Sequence, residues 1–124
     1  MSMNKQILIV DDDRLLTKAL SNAISSQHYT VHTAANGSDA IDIIAQEPID
    51  LVICDLMMPQ ISGISFVSAI KRTYNPDIPI IIISTLASGK LIAENLKYSK
   101  IVFLSKPFSF EKVSETIQEL LINQ

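Results

Sequence analysis

Hydrophobic positions along the chain fall into two alternating patterns. Short, mainly apolar runs rich in β-branched residues are typical of strands; they lie at 7–10, 29–32, 51–54, 80–83 and 101–104. Elsewhere apolar residues recur every three or four positions, the spacing of an amphipathic helix. These stripes are Leu16, Leu20, Ala23 and Ile24; Ala40, Ile41 and Ile44; Phe66, Val67, Ile70 and Tyr74; Ile92 and Leu96; and Phe110, Val113, Ile117, Leu120 and Leu121. The pattern predicts five strands alternating with five helices.

The predicted strands differ in how much polar character they carry. The first, third and fourth are apolar throughout, as expected of central strands covered on both faces. The second contains Thr30 and His32, which favours an edge strand. Strict alternation of strands and helices predicts an α/β fold, with a doubly wound parallel sheet, in a single domain over residues 1–124. Polar residues at the predicted helix starts indicate side-chain caps: Asp13, Asn36 and Ser109.

Composition excludes several classes of function. A net charge of −3 and scattered basic residues argue against direct contact with nucleic acid, which needs a basic surface. No apolar stretch approaches the ~20 residues that cross a bilayer, so we expect no membrane insertion. The single cysteine, Cys54, lies in an apolar run, which predicts a buried, unreactive thiol suited to a reducing compartment. A cytoplasmic protein is therefore expected.

Polar side chains follow four of the predicted strands. Asp11 and Asp12 follow the first, Asp55 the third, Ser84 the fourth and Lys106 the fifth. The carboxyl ends of parallel strands meet at one edge of a sheet, where α/β folds bind their ligands. The sequence therefore predicts a cluster of carboxylates, a hydroxyl and an ammonium group at this edge.

This combination suits phosphoryl transfer to a side chain. Crowded carboxylates repel one another and call for a cation, and Mg²⁺ prefers oxygen ligands. Lys106 supplies a positive charge for a phosphate oxygen, and Ser84 a hydroxyl donor. A carboxylate can act as a nucleophile toward phosphorus, a reaction that depends mainly on positioning and charge neutralisation.

Four stretches in this order resemble the response-regulator receiver domains of two-component signalling, over essentially the whole chain. They are ILIVDDD at 7–13, DLVICDLMMPQISG at 50–63, IPIIIIST at 78–85 and FLSKPF at 103–108. The resemblance implies a flavodoxin-like sheet with strand order 2-1-3-4-5. It also implies that Asp55 is the phosphoacceptor and a ligand of Mg²⁺. Asp12 would bind the metal directly, Asp11 through water, and Met57 through its backbone carbonyl.

The same resemblance implies roles at the ends of the fourth and fifth strands. Ser84 would be the switch hydroxyl and Lys106 the phosphate-binding lysine, with a cis bond between Lys106 and Pro107. Phe103 falls at the aromatic switch position, whose ring turns inward when the hydroxyl moves toward the phosphate. Plain core packing explains Phe103 equally well.

A receiver role implies partners rather than a substrate. The phosphoryl group would come from the phosphohistidine of a sensor histidine kinase or phosphotransfer protein. Phosphorylation would change the surface of the fourth helix, fifth strand and fifth helix, which binds a downstream protein. The sequence does not decide whether phosphorylation also produces a homodimer. The only catalysis expected is self-catalysed phosphorylation and dephosphorylation, so the protein is not an enzyme in the usual sense.

Other functions on the same fold fit less well. A metal-dependent phosphatase needs a second acid two residues after its nucleophile, where this chain has Met57. A nucleotide or flavin module needs a glycine-rich loop, yet Gly37, Gly63 and Gly89 are isolated. A phosphorylation-independent scaffold remains an alternative, as does a receiver fragment of a larger regulator or hybrid kinase. The ending at 120–124 closes the fifth helix without a linker, which favours a standalone protein.

Two positions depart from the family pattern. Thr85 stands where a small alanine is usual, and its larger side chain is expected to narrow access to Asp55. Segment 97–102 lacks the Gly-Ala turn that commonly precedes the fifth strand, so we expect an unusual shape there.

Overall fold

A computed structural model describes residues 4–56, 63–85, 96 and 98–122 of the chain. The strands are β1 (Gln6–Val10), β2 (Thr30–Ala34), β3 (Leu51–Asp55), β4 (Ile80–Ser84) and β5 (Ile101–Ser105). The helices in the described residues are α1 (Arg14–Ser25), α2 (Gly37–Gln46), α3 (Gly63–Ala69), followed by a π-helical turn (Ile70–Tyr74), and α4 (Phe110–Ile122). Helix α4 is the fifth predicted helix, because most of the fourth, including Ile92, lies outside the described residues.

The strands form one parallel sheet in the order β2-β1-β3-β4-β5, which confirms the predicted topology and the edge position of β2. Val10 pairs with Ala34 of β2 on one side and with Cys54 of β3 on the other. The chain therefore goes from β1 to β2 on one side of β1 and then crosses to β3 on the other side. This places the topological switch point between β1 and β3, where doubly wound sheets bind ligands.

Side chains of each strand alternate between two apolar layers. Leu8 and Val10 of β1 point to the layer covered by α2 and α3, whereas Ile7 and Ile9 point to the layer covered by α1 and α4. All five residues of β3 and of β4 are buried, as predicted for central strands. This rigid centre fixes the residues that end β1, β3 and β4.

Helix starts are capped where the sequence predicts. Each cap oxygen accepts a hydrogen bond from the backbone N–H three residues later, at 3.1 Å for Asp13–Leu16, 2.8 Å for Asn36–Asp39 and 3.0 Å for Ser109–Lys112. The Asp13 cap has a functional consequence, because it fixes the turn between β1 and α1 that carries the acidic residues.

Of the predicted stripe residues that the structure describes, two are exposed rather than buried. Tyr74 is 42% exposed and Phe110 45% exposed. Tyr74 lies in the π-helical turn, whose wider period breaks the spacing of the stripe. Phe110 is the first residue of α4 and lies one turn before Val113, the first buried residue of that helix.

The connection into β5 has the unusual shape expected from the missing Gly-Ala turn. Lys100, immediately before β5, has φ 61°. This is the left-handed region, which glycine adopts readily and a residue with a Cβ does not. The Lys100 carbonyl nevertheless accepts a hydrogen bond of 2.9 Å from the Ile80 N–H, so β4 and β5 pair from their first residues.

Candidate phosphoacceptor and metal site

Asp11 and Asp55 occupy neighbouring strand ends at the switch point. Asp55 is the last residue of β3, and Asp11 directly follows β1. Since Val10 and Cys54 are register partners, the two carboxylates that follow them adjoin. Both residues are buried, with Asp11 2% and Asp55 7% exposed. Two buried acidic groups side by side require positive charge close to them.

Lys106 supplies that charge. Its Nζ lies 3.3 Å from Asp11 Oδ2 and 3.2 Å from Asp55 Oδ2. The backbone holds the lysine in place, because the Lys106 N–H donates to the Ser84 carbonyl at 2.9 Å. The sequence predicts this ammonium as a partner for phosphate, and the structure places it between two carboxylates.

Asp12 completes an acidic cluster. One carboxylate oxygen from each of Asp11, Asp12 and Asp55 can be chosen so that all three lie within 4.8 Å of one another. Asp12 is exposed, whereas the other two are buried, so the cluster opens to solvent on one side. Hard oxygen donors at this spacing fit Mg²⁺, which takes one or two carboxylates and keeps several waters.

The two oxygens of Asp11 already have donors within the protein. Oδ1 accepts from the Asp13 N–H at 2.9 Å, and Oδ2 faces Lys106. Burial nevertheless raises the pKa of Asp11, and the Asp55 carboxylate raises it further. The hydrogen bond from the Asp13 N–H and the charge of Lys106 act to lower this pKa but do not outweigh the rise. Burial acts to lower the pKa of Lys106, but the Asp11 and Asp55 carboxylates outweigh it, so its pKa is raised. Lys106 therefore stays charged at neutral pH.

Two more of the predicted site residues, Ser84 and Phe103, are among the described residues. Ser84 ends β4 and is 1% exposed, and its register partner is Ser105 of β5. Phe103 is partly buried against the apolar layer that α2 and α3 cover. The peptide bond between Lys106 and Pro107 is cis, as the resemblance implies. Met57 lies outside the described residues.

Cys54 is fully buried in β3, as predicted. Burial raises the pKa of its thiol, and Asp55 and Asp11 raise it further. A thiol that stays protonated is a poor nucleophile. The sulfur beside the site therefore belongs to the core and not to its chemistry.

Comparison with known proteins identifies the architecture. Residues 7–118 match the family described as the response regulator receiver domain. The chain belongs to this family. A solved receiver domain from an HD domain-containing protein of Pseudomonas fluorescens Pf-5 superposes with a TM-score of 0.88 at 27% identity, covering 97% of this chain and 96% of that one. The chemotaxis response regulator CheY4 of Vibrio cholerae has a TM-score of 0.84 at 27% identity, covering 96% of this chain and 99% of that one.

Curated relatives carry a similar receiver within longer proteins. The transcriptional regulatory protein ZraR of Klebsiella oxytoca is 36% identical over 93% of this chain, which spans 26% of ZraR. The sensor kinase CckA of Brucella abortus is 31% identical over all of this chain, which spans 13% of CckA. The receiver thus occurs in both transcriptional regulators and kinases.

One residue that shapes the receiver's acidic turn was not singled out from the sequence. Thr17, the fourth residue of α1, donates its hydroxyl hydrogen to the Asp13 carbonyl at 2.9 Å, and its Oγ1 lies 3.4 Å from the Asp11 carbonyl oxygen. The signal was a threonine four residues after a predicted cap, where its hydroxyl can reach back one helical turn.

Among the described residues, no helix is long and apolar enough to span a bilayer.

Proposed function

We propose that this chain is a single receiver domain that accepts a phosphoryl group on Asp55, with Mg²⁺, from the phosphohistidine of a sensor kinase or phosphotransfer protein. The observation that carries the proposal is the position of Asp55. It ends a central strand at the switch point, beside two further carboxylates and 3.2 Å from an ammonium group. Phosphoryl transfer to a carboxylate requires a positioned nucleophile with positive charge close to it.

The transfer step follows from the chemistry of the two partners. An Asp55 oxygen forms a bond to phosphorus while the phosphorus–nitrogen bond of phosphohistidine breaks. The electron pair leaves with the imidazole, which takes up a proton from solvent. Lys106 then donates to a phosphoryl oxygen, having held the Asp55 carboxylate in place beforehand. Since the side chain of Asp55 is 10% exposed, only a donor that reaches the rim of the sheet can react.

The residues proposed to hold the metal differ in the kind of contact they would make. We assign direct contacts to Asp12 and Asp55, a contact through water to Asp11, and a backbone carbonyl contact to Met57. The indirect role of Asp11 is supported by the protein donors on both of its oxygens. When bound there, Mg²⁺ would neutralise charge on the carboxylates and on the incoming phosphoryl group.

Ser84 and Phe103 are the proposed route from the site to the surface. The Ser84 hydroxyl would move toward the phosphoryl group, and the partly buried ring of Phe103 would turn inward behind it. Phe103, Pro107, Phe108 and Lys112 line a groove between β5 and α4. We propose that this face, with the helix predicted before β5, binds a downstream protein or a second copy of the chain.

No turnover of an external substrate is proposed, only self-catalysed gain and loss of the phosphoryl group. The relatives that carry a receiver within a longer protein support a second reading, in which this chain acts as part of a larger regulator or hybrid kinase. A phosphorylation-independent scaffold is the remaining alternative. The cytoplasmic location stays a prediction.

Phosphorylation by a small donor tests the proposal. The purified protein is incubated with acetyl phosphate and Mg²⁺, and intact mass is measured. We expect one added phosphoryl group on the wild type and on Asp42→Asn, which changes an exposed acid of α2, and none on Asp55→Asn. A pull-down with the treated wild type and with Asp55→Asn then compares how each binds partner proteins. Equal labelling of Asp55→Asn would refute the assignment, and labelling of neither protein would favour the scaffold.

A further inference from the structure

Lys71 is a buried lysine that has no part in the proposed phosphoacceptor site. It is 2% exposed and lies in the π-helical turn that follows α3. Its Nζ donates to the carbonyl oxygens of Ile78 at 2.6 Å, Ser99 at 2.7 Å and Pro76 at 3.2 Å. A buried ammonium normally faces a carboxylate, whereas this one faces backbone oxygens.

The three carbonyl groups come from two different connections. Pro76 and Ile78 lie between the π-helical turn and β4, and Ser99 lies just before β5. Carbonyl oxygens only accept hydrogen bonds, and an ammonium group has three N–H donors to give. The geometry therefore satisfies all three donors and ties both connections to the π-helical turn that carries Lys71.

The segments tied in this way hold unfavourable backbone conformations. Lys100, next to Ser99, is in the left-handed region, and the Lys71 turn has π-helical hydrogen bonding, with the Asn75 N–H donating to the Ile70 carbonyl at 3.0 Å. Both conformations are uncommon because they cost free energy relative to ordinary backbone. Something in the surroundings must stabilise them, and Lys71 contacts both segments.

We propose that the carbonyl oxygens of Pro76, Ile78 and Ser99 form a binding site for a primary ammonium group, which Lys71 fills from within. By filling it, Lys71 holds the starts of β4 and β5 at the end of the sheet opposite the phosphoacceptor. Two charged neighbours act on the ammonium, Asp77 in its favour and Lys100 against it. The proposal does not depend on phosphorylation of Asp55.

Chemical rescue tests the site directly. Lys71→Ala removes the side chain beyond Cβ, and n-propylammonium supplies the missing methylene groups and ammonium. We expect the variant to melt at a lower temperature than wild type, and n-propylammonium chloride to raise that temperature. Tetramethylammonium, which lacks N–H donors, and 1-propanol, which lacks charge, should not raise it. Rescue by all three solutes, or by none, would overturn the proposal.

Hydrogen exchange provides a second readout with a variant that keeps the side-chain volume. Lys71→Met retains the apolar stem and leaves three carbonyls without their donor. We expect exchange of the Ile80 N–H, which is bonded to the Lys100 carbonyl, to accelerate about tenfold or more, while amides of β1 and β2 change little. Arg72→Met, at an exposed position in the same turn, is the matched control. A uniform change across the sheet, or the same change in both variants, would contradict a local clamp.

Discussion

Lys106 shows how one residue sets the charge of the site. Its single ammonium faces Asp11 and Asp55, and Asp12 adds a third carboxylate to the cluster. Three carboxylates and one ammonium leave an excess of negative charge, which attracts a divalent cation. The ammonium and the cation also compete, because both neutralise the same oxygens. We therefore expect Lys106 to weaken metal binding while it assists the transfer of the phosphoryl group to Asp55.

Lys106→Gln separates these two effects. We expect phosphorylation of Asp55 by acetyl phosphate to slow about 100-fold, because a charged donor to the phosphoryl group is lost. The affinity for Mg²⁺ should rise, on the order of tenfold, because the carboxylates lose their competing charge. Calorimetric titration with Mg²⁺ measures the second effect independently of the reaction. Lys112→Gln, at an exposed site on α4, is the control, and weaker Mg²⁺ binding in Lys106→Gln would contradict this account.

At the scale of elements, the sequence predicts what local pattern determines. Each of the five strands is found within two residues of its apolar run, and the Asp13 cap is found as predicted. The neighbourhood of Asp11, Asp55 and Lys106 could be predicted because strand ends in a parallel sheet share one edge. Distances within that neighbourhood could not, since they depend on how the strands register and on side-chain rotamers.

The other end of the sheet was less predictable for a physical reason. Lys71 lies four residues after Val67, in the turn that follows α3. A lysine at that spacing interrupts the apolar stripe and is expected to face solvent. Its burial depends on carbonyl groups from two connections, one of them 28 residues away. The π-helical turn and the left-handed Lys100 are likewise products of tertiary contacts. No local propensity encodes them.

Lys100→Gly tests the strain at the start of β5. Glycine removes the steric cost of the left-handed conformation, so we expect the free energy of unfolding to rise by about 1 kcal/mol. Urea denaturation measures it. Lys100→Ala is the matched control, because it removes the same charge beside Lys71 but keeps a Cβ. If both variants change stability equally, the effect is electrostatic and the backbone at Lys100 is not strained.

For the whole molecule, the two ends of the sheet surround a lysine with different kinds of oxygen atom. The carboxyl end gathers acidic side chains around Lys106, whereas the amino end holds Lys71 among uncharged carbonyl groups. Between them lie β3 and β4, buried along their whole length. A charge at the carboxyl end is stabilised by opposite charge. Lys71 donates its hydrogen bonds to uncharged carbonyl groups, and burial lowers its pKa to about 8, with Asp77 opposing this decrease and Lys100 adding to it.

That depressed pKa makes the stability of the fold depend on alkaline pH. An unfolded lysine titrates near 10.4, so between pH 8 and that value the unfolded chain binds more protons at Lys71 than the folded protein does. The free energy of unfolding from this residue must therefore rise with pH across that window. Below pH 8 the cost of the buried charge is fully present. The rise amounts to at most about 3 kcal/mol, an upper bound because three hydrogen bonds favour the charged form.

Comparison with Lys71→Met isolates this contribution from the tyrosines and other lysines that titrate in the same range. Urea denaturation of both proteins at pH 7, 8, 9 and 10 gives the difference in free energy of unfolding, wild type minus variant. We expect this difference to grow with pH, because only the wild type sheds a proton that its folded state holds weakly. Arg72→Met should track the wild type throughout. A difference that stays flat or shrinks would mean that the carbonyl cradle offsets the cost of burial and keeps Lys71 charged.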